Sequence, residues 1–174
     1  MAGEARLAAQ RIGLGHDRHP FGPGEPLRLG GIDIAGAPRL HGHSDGDVVL
    51  HAIAGAILGA AAQGDLGGLA PADSRTPRGI ASRELVLAAV ERVATAGWRP
   101  GSIDVTITAG RPRLGDHAEE MRGSIAGMLG VTPEDVSIQL STGNLQGPEG
   151  EGRAISASAV AVLVPLPLAV EPRA

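Results

Sequence analysis

Asp17 and His19 lie two residues apart in Arg11-Ile12-Gly13-Leu14-Gly15-His16-Asp17-Arg18-His19, and His43 and His51 bracket a second segment, His43-Ser44-Asp45-Gly46-Asp47-Val48-Val49-Leu50-His51. One carboxylate and two imidazoles form an oxygen and nitrogen donor set that suits a divalent zinc ion with a position left open for chemistry. The chain has no cysteine, which excludes disulfides and thiolate clusters and leaves His, Asp and Glu as the strong ligands. Each residue also has a plainer reading. A single histidine on a buried helix is commonly satisfied by a backbone carbonyl, and Asp17 with His19 could be a turn cap beside a surface neighbour. Taken together, Asp17, His19 and His51 favour the metal, because folding stability alone rarely demands two same-side ligands at a strand end and a third on a helix. His41 reads as a solvated loop residue. His43 sits just ahead of a helix start, where exposed amides attract anions.

The elements that must position these groups follow from patterning. Arg11 to Gly15 reads as a short strand that delivers Asp17 and His19 at its end, and residues two apart on an extended segment face the same way. Pro20, Gly22, Pro23, Gly24 and Pro26 make a loop. Leu27 to Leu29 and Ile32 to Ile34 flank Gly30-Gly31, a two-residue hairpin signal. A helix capped by Ser44, with Asp47 reaching back, is expected to run to about Ala62; it is apolar nearly all round and therefore buried. Gly64 to Gly68 and Ala70 to Gly79 lack periodicity and read as a surface loop or lid. A second helix runs from Ser82, read as its N-cap, to Ala96, with Gly97 as the stop. Ile103, Val105 and Ile107 alternate with polar residues as in a half-buried strand. A third helix spans Asp116 to Leu129, Thr132 to Asp135 form a capped single turn, and Val136 to Leu140 and Ile155 to Val164 close the chain as strands. The expected fold class is α+β: a small single domain over residues 1–174, with a mixed β-sheet, helices packed on one face, and flexible tails at 1–10 and 165–174.

Composition narrows the function classes. The 174 residues, 43% of them hydrophobic, suffice for one domain with a core. A net charge of −4, no basic block, one Phe, one Trp and no Tyr leave neither an electrostatic footprint nor stacking platforms for nucleic acid. The apolar tract from Ile155 to Val170 carries Pro165 and Pro167 and is too short to cross a bilayer as a helix. The N-terminal segment, with Glu4 and Arg6, lacks the apolar region of a secretory signal. A soluble, cytoplasmic protein is expected, with neither nucleic acid nor membrane as partner. Gly64 to Gly68 and Gly147 to Gly152 match neither a Walker loop nor a dinucleotide fingerprint and read as turns. Arg111-Pro112-Arg113 after a strand is either a phosphate grip or a solvated turn.

The two His-bearing segments closely resemble the signatures of the 2-C-methyl-D-erythritol 2,4-cyclodiphosphate synthase family of the non-mevalonate isoprenoid pathway. The resemblance continues through Leu58-Gly59-Ala60-Ala61, Gly64-Asp65-Leu66-Gly67, Ser82-Arg83-Glu84-Leu85, Asp104-Val105-Thr106-Ile107 and Arg111-Pro112-Arg113-Leu114, and covers Arg11 to Val164. It implies a homotrimer with active sites between neighbouring subunits. Asp17, His19 and His51 then match the zinc ligands, and Asp17 and His19 also lie against the substrate. His43 and Ser44 match a phosphate-contacting loop, Asp65, Leu66 and Gly67 the ribose contacts, and Asp73 of the lid a further substrate contact. Arg111, Pro112, Arg113 and Leu114 match the loop that holds cytosine, and Ser141, Thr142 and Gly143 line the transferring phosphate, with Thr142 and His43 as the catalytic pair. The implied reaction cyclises a cytidine diphosphate-linked substrate and releases CMP, with zinc and a second divalent ion, magnesium or manganese.

Several positions depart from the family pattern. Ser141-Thr142-Gly143-Asn144 puts an amide, Asn144, where a carboxylate would hold the second metal, which predicts weaker magnesium binding. Gly150-Glu151-Gly152-Arg153 exchanges the two charges of the usual segment, Pro148 replaces an aromatic residue, Gly55 an acidic one, and Ala72 and Ser74 stand where lid carboxylates are common. Two alternative readings follow: a divergent zinc-binding trimeric relative that binds or regulates without efficient cyclisation, and a metal-dependent nucleotide phosphodiesterase.

Overall fold

The computed structural model describes residues 9–167. The expected tails fall largely on 1–8 and 168–174, outside the described residues. Strand β1 spans Arg11–Pro20, longer than its apolar stretch, so Asp17 and His19 stand inside the strand. The hairpin β2 (Leu27–Leu29) and β3 (Ile32–Ile34) forms as patterned. Its two turn residues, Gly30 and Gly31, both have positive φ (61° and 80°), a conformation open chiefly to glycine.

Helix α1 (Val48–Ala60) begins one turn later than expected. Its N-cap is Asp47, not Ser44: the Asp47 carboxylate accepts from the Leu50 amide at 3.1 Å and also from the Gly30 and Gly31 amides at 2.9 and 2.7 Å. Asp47 therefore ties the hairpin turn to the helix start, which a local capping pattern could not reveal. Burial pushes its carboxyl upward, against the pull of the Gly31, Leu50 and Gly30 amides. Within the expected loop a short helix α2 (Leu66–Leu69) forms, capped by Asp65. Helix α3 (Ser82–Thr95) is flanked by Ala81 at the N-cap position, so Ser82 is helical and its hydroxyl is free for other work. Strand β4 (Trp98–Thr108), α4 (Ala118–Leu129, entered through a 3-10 turn at Gly115–His117), β5 (Val136–Ser141), α5 (Gly147–Gly150) and β6 (Ala154–Pro165) complete the chain.

The main sheet has the order β1-β6-β4-β5. β1/β6 and β6/β4 pair antiparallel, whereas β4/β5 pair parallel through the α4 crossover, so the sheet is mixed as expected. Helices cover one face. Gly13, Gly15, Asp17 and His19 alternate along β1 toward that face, and at the glycines the strand lies directly on α1: a Cβ on Gly13 would fall 2.1 Å from Ala56 O, and one on Gly15 2.0 Å from Ala52 O. This bare contact lets Asp17 and His19, further along the same face, meet the first turn of α1. Ile53, Ile57, Val105, Ile107, Ile155 and Leu163 are among the core residues around the seam, each with at most 0% exposure. Burial of side chains of this size contributes roughly 1.5–3 kcal/mol apiece. The opposite face carries Ile12 and Leu14, both 71% exposed, beside Val160.

Candidate metal centre and substrate cleft

Strand β1 and helix α1 bring the three candidate ligands together. Asp17 Oδ2 lies 3.0 Å from His19 Nε2 and 2.8 Å from His51 Nδ1, and the donor atoms of all three residues lie within 4.8 Å of one another. The imidazoles meet edge to face, with centroids 5.1 Å apart. Burial works against the Asp17 carboxylate, but the hydrogen bonds and charge of His19 and His51 prevail and hold it well below the usual carboxylate range. A tetrahedral ion at ordinary Zn–N and Zn–O lengths sets its donors roughly 3.3–3.5 Å apart, so seating one would move Asp17 Oδ2 slightly outward from both imidazoles. The donor set fits a divalent cation. His19 Nδ1 is buried with no hydrogen-bond partner.

The remaining polar atom of His51 is satisfied from behind. His51 Nε2 lies 2.9 Å from both Ser44 Oγ and Ser82 Oγ, and Ser82 Oγ donates to Asp45 Oδ1 at 2.5 Å. Ser82 and Asp45 were not singled out for this in the sequence. The local pattern marks Ser82 as a helix-start residue, and only the packing of α3 against α1 brings it onto Asp45 and His51.

A cavity of about 270 Å³ opens beside the triad, walled by His19, His43, Ser44, His51, Leu66 and Gly67, with the lid residues Ala72 and Thr76. The base of the lid is pinned by the Gly79 amide donating to His43 O and the Asp45 amide donating to Ile80 O. Asp65 faces the Gly68 amide at 2.7 Å as the cap of α2. Asp73 is exposed and paired with Arg75, whose guanidinium holds its carboxyl below the usual range; it does not line the cavity.

The other predicted contacts lie elsewhere. Pro112, Arg113, Leu114, Ser141 and Thr142 line a separate cavity of about 340 Å³ between the ends of β4 and β5. Arg111 turns back instead, donating from Nε to Gly152 O at 2.8 Å with its guanidinium 5.4 Å from the Phe21 ring, and so anchors the following segment. Gly143 and Asn144 sit on the turn Gly143–Leu145; Asn144 is exposed with φ 54° and lines neither cavity. Glu151 and Arg153 do pair, with Arg153 Nε 2.8 Å from Glu151 Oε2, so the exchanged charges retain an ion pair.

A mixed sheet with helices on one face, carrying a carboxylate and two imidazoles beside a cleft, defines a small α+β domain with a candidate metal site. The sequence model of the YgbB family matches residues 10–164, and the chain belongs to that family. The chain is 44% identical over 155 residues to 2-C-methyl-D-erythritol 2,4-cyclodiphosphate synthase of Rhodopirellula baltica, covering 89% of this chain and 93% of that protein. Among solved structures it resembles the bifunctional IspDF of Campylobacter jejuni, with a TM-score of 0.87 and 31% identity over 91% of this chain and 43% of that one. It also resembles the CDP complex of Plasmodium falciparum IspF, with a TM-score of 0.78 and 27% identity over 92% and 99% of the two chains.

Proposed function

We propose that this chain is a 2-C-methyl-D-erythritol 2,4-cyclodiphosphate synthase, converting 4-diphosphocytidyl-2-C-methyl-D-erythritol 2-phosphate into the 2,4-cyclodiphosphate with release of CMP. The observation that carries the reading is the convergence of Asp17, His19 and His51 on the scaffold of the family. An oxygen of the 2-phosphate attacks the β-phosphorus of the same molecule, the bond from that phosphorus to the bridging oxygen breaks, and the electron pair leaves with CMP. Such a transfer needs positioning and charge neutralisation more than a protein nucleophile. Zinc on the triad would supply a Lewis acid to the phosphates. His43 and Ser44 orient the phosphates in the cleft, Asp65, Leu66 and Gly67 hold the ribose, and Asp73 closes over the substrate with the lid.

The two cavities of one chain hold complementary halves of such a site, which supports a homotrimer in which each cleft is completed by a neighbour. In that assembly the loop Arg111, Pro112, Arg113 and Leu114 holds cytosine largely through its backbone groups, and Ser141, Thr142 and Gly143 approach the transferring phosphate. The exposed Ile12, Leu14 and Val160 offer the apolar sheet face that the subunits would share. A second divalent ion, magnesium or manganese, would bind on the leaving side with Asn144 as a neutral ligand. A cytoplasmic location is part of the proposal; no helix among the described residues is long and apolar enough to cross a membrane.

Incubation of the protein with authentic substrate, zinc and magnesium, followed by phosphorus NMR, tests the reading. CMP together with a cyclic diphosphate is expected. CMP with a linear product would instead identify a phosphodiesterase, and binding without turnover a divergent non-catalytic relative.

A further inference from the structure

His51 is gripped from the side away from Asp17 by a buried chain of polar groups whose proton directions can be worked out. We propose that Asp45 and Ser82 are positioning residues that fix the proton of His51 on Nε2 and so present the Nδ1 lone pair to the metal; the inference rests on the metal reading of Asp17, His19 and His51.

The argument is a proton count. Ionised Asp45 can only accept. Its Oδ2 receives the Ser82 amide at 3.1 Å and faces Arg28 Nη1 at 3.5 Å, and its Oδ1 lies 2.5 Å from Ser82 Oγ. The single hydroxyl proton of Ser82, a residue with 0% exposure, therefore goes to Asp45, and its oxygen can only accept from its other neighbours. Those neighbours are Ser44 Oγ at 3.2 Å and His51 Nε2 at 2.9 Å. Ser44 Oγ, also 2.9 Å from Nε2, accepts the Gly46 amide at 3.1 Å and has its own proton to give to Ser82 Oγ; the arrangement in which all of these contacts are hydrogen bonds puts a hydrogen on His51 Nε2, which in a neutral imidazole leaves the lone pair on Nδ1. Nδ1 faces Asp17 Oδ2 at 2.8 Å, so in this tautomer its lone pair is aimed where the carboxylate also points, the place a shared cation would take. Partners on the outer nitrogen of a ligating histidine fix its tautomer and ring orientation in this way.

Asp45→Asn separates direction from shape. An asparagine that keeps its oxygen toward the Ser82 amide and Arg28 must point its NH2 at Ser82 Oγ, which turns the hydroxyl proton toward His51 and opposes the metal-binding tautomer. Zinc affinity, measured by competition with a chromophoric chelator, is expected to fall roughly 10–100-fold in both Asp45→Asn and Ser82→Ala. The double variant should be no weaker than Ser82→Ala alone, because Asp45 acts through Ser82. In the zinc-loaded wild type a protected His51 Nε2–H proton should be visible by NMR, and it should be lost in Ser82→Ala. Thermal melts of the metal-free proteins separate these effects from loss of fold. Affinity within twofold of wild type in a folded Ser82→Ala, or additive losses in the double variant, would overturn the inference. A wild type that binds no zinc would remove the metal reading itself.

Discussion

The two cavities of this chain are built differently. The ligands beside the first cleft, Asp17, His19 and His51, stand on the second half of a strand and the first turn of a long helix and are braced by Ser44, Ser82 and Asp45, while loop and lid residues complete the wall. The cavity at the ends of β4 and β5 is made by loops and short turns, and Ser141, Thr142 and Asn144 beside it are exposed. Of the departures from the family pattern, Asn144, Pro148 and the exchanged Glu151 and Arg153 lie toward the second side, Ala72 and Ser74 lie in the lid and Gly55 on α1, and none falls on the three ligands or on the groups that brace them. A site held by buried hydrogen bonds tolerates little change, because each partner removed strands another polar group. A loop-built wall can exchange charges and keep an ion pair, as Glu151 and Arg153 do.

The sharpest way to break this contrast is Asp17→Ala, expected to lower CMP release by roughly 10³-fold or more while circular dichroism stays near wild type, since the metal supplies several kcal/mol of charge stabilisation. Gly15→Ala strikes the scaffold instead. Its methyl would collide with Ala52 O, and a loss of at least about 3 kcal/mol in urea unfolding is expected. Asp47→Ala removes the α1 cap and leaves the Gly30 and Gly31 amides without their acceptor, which should cost roughly 2–3 kcal/mol by the same measurement. On the loop-built side, Asn144→Glu should tighten magnesium binding roughly threefold to tenfold in a calorimetric titration, because it adds a charged oxygen ligand. Equal affinities would remove Asn144 from the second-metal reading. The smallest effect is expected from Gly59→Ala on α1, where a Cβ meets nothing within 4 Å; a gain of about 0.5–1 kcal/mol would show that the constraint between β1 and α1 belongs to Gly13 and Gly15 and not to every glycine of the pair.

Much of the first cleft was legible in the sequence because its signals are local. The period of two in β1 sets Asp17 and His19 on one side, and the apolar run after Asp47 marks the helix that carries His51. The hairpin was legible for the same reason, since Gly30-Gly31 announces its own turn. What local pattern could not supply was long-range. Ser44 looked like the cap of α1, but the cap is Asp47, chosen because its carboxylate also reaches the hairpin. Ser82 looked like the cap of α3, whereas its hydroxyl serves Asp45 and His51 across 37 and 31 residues. Helix α2 was hidden in a glycine-rich stretch of low helix propensity and is held by the Asp65 cap. The tie of the Arg111 side chain to Gly152 depends on a segment far along the chain and leaves no local signal.

Where Gly13 and Gly15 let β1 rest on α1, main chain touches main chain with no side chain between them. The spacing of the two ligand-bearing elements is thus gauged by peptide groups, whose dimensions mutation cannot alter. Drift in the surrounding aliphatic residues can retune overall stability while leaving the coordination geometry calibrated, so long as both glycines persist.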